Sequence, residues 1–126
     1  MERVRFITHR GKRVLLIDHS GSTPDEIRRT MDEVEVIVGS EPPNSLLTLS
    51  DFTGTQFDKT SADRMKVVAA KDRPHVRRAA LVGAENIPNV YYRNLESFAA
   101  RRFPKFKTRE EALDWLTGDD TEAAAS

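Results

Sequence analysis

The run Val14-Leu15-Leu16-Ile17 is the feature that most constrains the fold of this chain, because it places four apolar residues in succession. Successive side chains of a strand point to opposite faces of the sheet, so a wholly apolar strand must be covered on both faces. Leu46–Leu49 and Val76–Val82 have a similar character and predict two further inner strands. The sequence therefore predicts a sheet that lies between two layers of helices.

Each predicted inner strand is followed by a helix start. Thr23-Pro24-Asp25-Glu26 is the most complete, because Thr23 and Glu26 can form a capping box and Pro24 suits the first helical position. Apolar residues then follow at helical spacing, namely Ile27, Met31, Val34 and Val38. A second capping box is predicted at Thr108-Arg109-Glu110-Glu111.

Two further helices are predicted between these. One covers about residues 61–71, with Thr60 as its N-cap and Asp63 at the third helical position. The other begins after Pro88, and its inward side chains are expected to be Tyr91, Leu95, Phe98 and Ala99.

The remaining strands are predicted at the edges of the sheet. Val4–Thr8 alternates polar and apolar residues and joins the first inner strand through a turn at Gly11. A short strand over Phe103–Lys107 is confined to the other edge by Pro104. The predicted order is β-β-α-β-α-β-α-β-α. We expect an α/β domain over residues 1–117, with a mixed, mainly parallel five-strand sheet and about four helices, followed by a disordered tail over 118–126.

Composition narrows the class of protein. The chain has 126 residues, of which 38% are apolar and 32% charged, as expected for one soluble domain. It has no run of 18 apolar residues and no apolar segment at the N-terminus, so neither a membrane span nor a secretory leader is predicted. Without cysteine there is no disulfide, thiolate nucleophile or Cys-based metal site. A cytoplasmic protein is the simplest interpretation.

Polar loops follow the three inner strands, at Asp18–Gly21, Asp51–Phe57 and Gly83–Asn86. The carboxyl ends of parallel strands meet at one edge of a sheet, where sites commonly form. We therefore predict the contact surface for a protein partner or small ligand at these loops and the following helix start. Its candidate residues are Asp18, His19, Asp51, Thr53, Asp58, Thr60, Ser61, Glu85 and Asn86.

This element order and the ending FKTREEALDWL resemble the STAS-like family of SpoIIAA-like proteins, named after a bacterial anti-sigma-factor antagonist. The resemblance covers Val4 to Leu116 and implies a STAS-like (SpoIIAA-like) fold and a non-enzymatic binding or regulatory module. In the antagonists, an Asp-Ser-Ser-Gly motif after the central strand carries a phosphorylated serine. Here the motif falls on Asp58-Lys59-Thr60-Ser61, with Thr60 as the acceptor or simply a helix cap, or on Asp51–Gly54.

A carrier of a small apolar or amphiphilic ligand, in peripheral contact with a membrane, is the alternative interpretation. Residues 71–107 hold nine Lys/Arg against three Asp/Glu, and aromatic and basic residues share the helix after Pro88. The candidate membrane or anion contacts are Tyr92, Arg93, Arg101 and Arg102.

Enzymatic chemistry has little support in the sequence. The three histidines have no partner at helical spacing, and no HExxH, GxSxG or P-loop motif occurs, so no metal, cofactor or catalytic residue is predicted. An acid–base pair among Asp18, His19 and Asp58 is the third interpretation, although His19 is expected to be a surface residue in a turn. No aromatic and basic pattern favours nucleic acid. Homodimerisation through strand edges stays open.

Overall fold

The computed structural model describes residues 2–118, so the predicted tail lies outside the described residues apart from Gly118. In this range the chain forms the predicted order of elements. The strands are β1 (Val4–His9), β2 (Lys12–Asp18), β3 (Leu46–Asp51), β4 (Val76–Val82) and β5 (Lys105–Phe106). The helices are α1 (Pro24–Gly39), α2 (Lys59–Asp72), α3 (Asn89–Ala99) and α4 (Arg109–Thr117), with a short 3₁₀ helix at Ala84–Asn86. The predicted α/β class is confirmed.

The strands lie side by side in chain order, so β3 is the middle strand of the sheet. β1 pairs with β2 in antiparallel orientation. The other three pairs are parallel: β2 with β3, β3 with β4, and β4 with β5. The sheet is therefore mixed, and the loops that follow β2, β3 and β4 leave it at the same edge.

Helices cover both faces of the sheet, as the apolar run in β2 requires. Leu15 and Ile17 of β2 pack with the apolar residues of α1, α2 and α3. Val14 and Leu16 point the other way and pack with Ala112 and Leu116 of α4. The alternation of side chains along β2 thus builds two separate cores, and the core under α1, α2 and α3 is the larger one.

The first helix start is confirmed, whereas the second was predicted at the wrong residue. Thr23 and Glu26 form the complete capping box of α1. In α2 the N-cap is Asp58, whose carboxylate accepts a hydrogen bond from the Ser61 N–H at 2.7 Å. Thr60 is the second residue of the helix and does not cap it. The helix begins earlier than predicted because aspartate caps as well as threonine does.

Two details at the end of the chain differ from the predictions. Phe98 was expected to face inward, yet it is 54% exposed because Leu95 and Ala99 already fill the inner face of α3. The last strand is shorter than predicted and pairs with β4 only through Lys105 and Phe106. Gly118, the one described residue of the predicted tail, is buried, and its carbonyl accepts a hydrogen bond from Arg78 at 2.7 Å.

Candidate functional site

The three polar loops predicted to share one edge of the sheet do meet there, and together they are called the rim (residues 18–21, 51–57 and 83–86). The backbone N–H of His19 donates to the Asp51 carbonyl at 2.8 Å, and that of Gly21 donates to the Thr53 carbonyl at 2.8 Å. The side-chain amide of Asn86 donates to the Phe52 carbonyl at 3.2 Å. The first two loops are thus joined by their backbones, and the third is joined to them by a side chain.

Gly83 allows the third loop to approach the second very closely. Its φ is +70°, in the left-handed region that favours glycine. A Cβ at this position would lie 2.5 Å from the Thr53 nitrogen and 2.9 Å from the Phe52 carbonyl carbon. Only glycine, which has no side chain, allows the backbone at position 83 to lie this close to the backbone of the second loop.

Asp18 and Asp51 form two equivalent turns at the ends of neighbouring strands. Asp18 Oδ1 accepts hydrogen bonds from the backbone N–H and the hydroxyl of Ser20. Asp51 Oδ1 accepts the same pair of bonds from Thr53, at 2.9 Å and 2.7 Å. Each carboxylate therefore fixes its own loop, a use of aspartate that is common in turns.

Arg109, which the sequence analysis did not single out, joins the two turns. Its Nε donates to Asp51 Oδ2 at 2.7 Å, and its guanidinium lies 3.4 Å from Asp18 Oδ1. Burial opposes the charged form of Asp18, but the hydrogen bonds from Ser20 and the charge of Arg109 outweigh it and lower the pKa of Asp18. The only sequence signal for this role was the position of Arg109 directly after the helix cap Thr108.

His19 was predicted at the surface, and this prediction was wrong. The side chain is fully buried and stacks on the ring of Phe52, with centroids 4.9 Å apart and planes inclined by 8°. Neither ring nitrogen has a hydrogen-bond partner within residues 2–118. Burial, with a smaller contribution from the charge of Arg3, lowers the pKa of His19 to about 4. The backbone of the same residue is held by the second loop, since the Thr55 hydroxyl donates to the His19 carbonyl at 2.6 Å.

The remaining candidates lie in the rim and, outside it, at the start of α2. Asp58 caps α2 and lies 3.4 Å from Arg28, while Ser61 is buried at the third position of the helix. Neither Asp18 nor Asp58 forms a hydrogen bond to His19, so the acid–base arrangement considered from the sequence is not assembled among the described residues. Asp58 is itself exposed, as are Thr53, Thr60, Glu85 and Asn86.

The four residues predicted to contact a membrane lie in different environments. The Tyr92 hydroxyl lies 2.6 Å from the Phe103 carbonyl oxygen, and Arg101 donates to the Val76 carbonyl at 2.6 Å. Arg93 and Arg102 are exposed. Tyr92 thus ties α3 to the segment before β5. Arg101 and Arg102 were expected on this helix but lie beyond its end at Ala99, where Arg101 binds β4 and Arg102 faces solvent, as Arg93 does on α3.

A cavity of about 70 Å³ lies between β3 and the helices on the larger core. Thr48 and Ser50 of β3 line the cavity, as does Phe52, which directly follows the strand. Thr48 and Ser50 are much smaller than the leucines on the opposite face of the strand, so they leave space under α2. The polar side chains that line the cavity besides these are His19, Asp72, Arg73 and Arg101. The sequence signal for this cavity was the pair of small hydroxyl residues in an inner strand, which the sequence analysis did not use.

Comparisons with protein-family models, with curated proteins and with solved structures found no match to this chain. The STAS-like resemblance accordingly stays a prediction. Within the described part of the chain, no cluster of His, Asp and Glu residues is arranged to hold a metal ion. Among the same residues, no helix combines the length and the apolar character needed to cross a bilayer.

Proposed function

We propose that this chain is a non-enzymatic, STAS-like (SpoIIAA-like) binding module that contacts a partner protein through the exposed part of its rim. The observation that carries the proposal is the joining of three loops into one fixed surface by hydrogen bonds. A preformed surface loses little conformational entropy when a partner binds. The mixed five-strand sheet with four helices supports an α/β module of this general kind.

The electrostatics of the rim favour binding over catalysis. A general base needs an accessible group whose pKa lies near the working pH. The pKa of Asp18 is lowered, its carboxylate is held by Ser20 and Arg109, and Asp51 is engaged by Thr53 and Arg109. His19 is buried away from solvent. These titratable groups stabilise the loops, and the exposed rim offers hydrogen-bonding groups.

The exposed contact groups lie at the tips of the second and third loops. Thr53 is exposed and is followed by Gly54, and the third loop, which Asn86 joins to the second, carries the exposed Glu85. Thr53 and Thr60 are both exposed, but only Asp51–Gly54 ends in the glycine of the antagonist motif, which supports this segment over Asp58–Ser61. A partner would read this surface through hydrogen bonds and the charge of Glu85.

The test is capture of the partner with matched surface variants. Immobilised wild-type protein, Glu85→Arg and Glu33→Arg are compared as baits in a lysate of the source cells, with quantitative mass spectrometry as the readout. Both variants reverse the charge of an exposed glutamate, but Glu33 lies on α1, away from the rim. We expect a protein that wild type and Glu33→Arg retain equally and that Glu85→Arg retains about tenfold less. Equal retention by all three baits would contradict the proposal.

A second candidate function is that of a carrier for a small ligand, and the cavity under α2 favours it. Small-molecule sites are concave and mostly apolar, with a few polar groups that orient the ligand. The cavity has this composition, since its lining is largely apolar and includes one buried histidine. The carrier would use the interior of the domain and leave the rim unoccupied.

A further inference from the structure

The cavity follows from the side chains of the central strand. β3 has two strands on each side, so its face toward α2 is the middle of the larger core. Protein interiors contain few voids larger than a water molecule. A volume of about 70 Å³ exceeds what one water molecule needs, which is about 10–15 Å³ on the same measure. The small side chains of Thr48 and Ser50 keep this space open where leucine would close it.

One end of the cavity presents an unsatisfied polar group. His19 lines it, is fully buried, and has no hydrogen-bond partner for Nδ1 or Nε2 in the described range 2–118. Buried polar side chains nearly always have a partner, because leaving one unpaired is costly. A neutral imidazole offers one donor and one acceptor. A hydroxyl or carbonyl group of a ligand could therefore pair with His19.

The opposite end of the cavity, at the amino ends of β3 and β4, carries two arginines. Arg73 is exposed and Arg101 is half-buried, and both line the cavity. Arg101 Nε is buried without a hydrogen-bond partner among the described residues. Burial and the neighbouring charge of Arg73 lower the pKa of Arg101. Two adjacent cations at the mouth of a cavity favour an anion, and a planar carboxylate matches the guanidinium geometry best.

Asp72 lies at the same end, and its ionisation affects any anion that binds there. Burial, helped by the charge of Glu35, raises the pKa of Asp72 to about 7, while Arg64 opposes the shift. Below neutral pH its carboxyl group is therefore largely uncharged and does not repel an anionic ligand. Arg73 and Arg101 then dominate the charge at the mouth.

We propose that this cavity binds a short-chain monocarboxylate that carries a hydroxyl or carbonyl group at its far end. The carboxylate lies against Arg73 and Arg101, the apolar chain runs along β3 between Met65 and Leu81, and the far-end oxygen pairs with His19. The inference rests on the second candidate function and adds the chemical class of the ligand.

The test uses three defined probes, 6-hydroxyhexanoate, hexanoate and 1,6-hexanediol, with binding followed by amide chemical-shift changes at pH 6. We expect 6-hydroxyhexanoate to bind, hexanoate to bind more weakly, and the uncharged diol to bind about tenfold more weakly than 6-hydroxyhexanoate. Shifts should appear at residues that line the cavity, such as Leu81 and Leu95.

Matched variants locate the site. Ser50→Leu fills the cavity and should abolish binding, whereas Ser97→Leu adds the same side chain on the exposed face of α3 and should not change it. Ser50→Val is the smaller replacement should Ser50→Leu fold poorly. Arg73→Gln should weaken the binding of 6-hydroxyhexanoate by about tenfold. Arg29→Gln, on the exposed face of α1, should leave that binding unchanged.

The results that would contradict the ligand class, the carrier function and the cavity site differ from one another. Binding of the diol as tightly as the carboxylates would overturn the ligand class and leave the carrier function standing. Absence of binding by all three probes up to about 10 mM would overturn both. Unchanged binding in a folded Ser50→Leu or Ser50→Val protein would show that the ligand lies elsewhere and would overturn the cavity site.

Discussion

The imidazole of His19 lies parallel to the ring of Phe52, with centroids 4.9 Å apart and planes inclined by 8°. The two residues directly follow neighbouring parallel strands, β2 and β3, and both are buried. The stack therefore closes the larger core beneath the rim. It also makes His19 part of the core, so the protonation of this ring bears on the stability of the fold.

The first prediction concerns the loss of stability in acid that His19 should cause. The pKa of His19 is about 4 in the folded protein and about 6.5 for an ordinary histidine. Between these values the unfolded chain binds a proton that the folded protein does not, so the free energy of unfolding falls as the pH decreases from 6.5 to 4. The loss should approach about 3 kcal/mol. Urea unfolding at a series of pH values measures it. His19→Phe, which keeps an aromatic ring on Phe52, should remove this part of the pH dependence, and an unchanged slope in that variant would contradict the assignment.

The second prediction concerns Arg109 and its bond to Asp51. Arg109→Met keeps much of the side-chain stem but leaves the buried carboxylate of Asp51 without its cation. Since the arginine is partly exposed, we expect a loss of about 2 kcal/mol, less than for a fully buried pair. Lys59→Met is the control, because it breaks the exposed pair with Asp63 and should lower the free energy of unfolding clearly less than Arg109→Met does. Equal losses in chemical denaturation would show that Arg109 does not stabilise the rim.

The third prediction separates two residues at the start of α2. Asp58→Ala removes the N-cap and should measurably lower the free energy of unfolding. Thr60→Ala changes an exposed side chain within the first turn and should stay within about 0.5 kcal/mol of wild type. Thermal unfolding of both variants at neutral pH is sufficient. The reverse order of effects would restore Thr60 as the cap.

The sequence predicted the order of elements well because each element has its own local signal. The apolar run of β2, the capping box of α1 and the turn at Gly11 depend only on neighbouring residues. Helix starts were less certain, since Asp58 and Thr60 are both good caps and only packing selects between them.

The sequence predicted where the candidate site lies, but not which contacts its side chains make. That three loops share an edge follows from parallel pairing, which the alternation of strands and helices indicates. His19 stacks on Phe52 and its carbonyl accepts a hydrogen bond from Thr55, and both partners are distant from it in the chain. Arg109 is 58 residues away from Asp51, and Arg101 is 25 residues away from Val76. Contacts at such separations have no local signature.

The fourth prediction concerns Asp72. Burial and the charge of Glu35 raise its pKa to about 7, above the 3.8 of an ordinary aspartate. Between these values the folded protein holds a proton that the unfolded chain releases, so this group makes the fold less stable as the pH rises from about 4 to 7. Asp72→Asn should therefore raise the melting temperature at pH 7.5 and have little effect at pH 4. Asp63→Asn, on the same helix but paired with Lys59, is the control. A pH-independent effect of Asp72→Asn would contradict the raised pKa.

The last prediction compares two glycines that have similar backbone angles and different surroundings. Gly83 and Gly11 have φ values of +70° and +78°, so alanine is strained at either position, by about 1 kcal/mol. At Gly11, in the β1–β2 turn, the added methyl group would meet no atom within 4 Å. At Gly83 it would lie 2.5 Å from the Thr53 nitrogen, which belongs to the backbone of the second rim loop.

Relief of that contact requires the third loop to move away from the second, which would also break the hydrogen bond from Asn86 to the Phe52 carbonyl. We therefore expect Gly11→Ala to cost about 1 kcal/mol and Gly83→Ala at least about 3 kcal/mol in denaturant unfolding. Gly83→Ala should also increase amide hydrogen exchange at Thr53 and Asn86, whereas Gly11→Ala should not. Equal costs for the two variants would mean that the loops are not packed as closely as the backbone of Gly83 indicates, and the fixed rim on which partner binding depends would lose its basis.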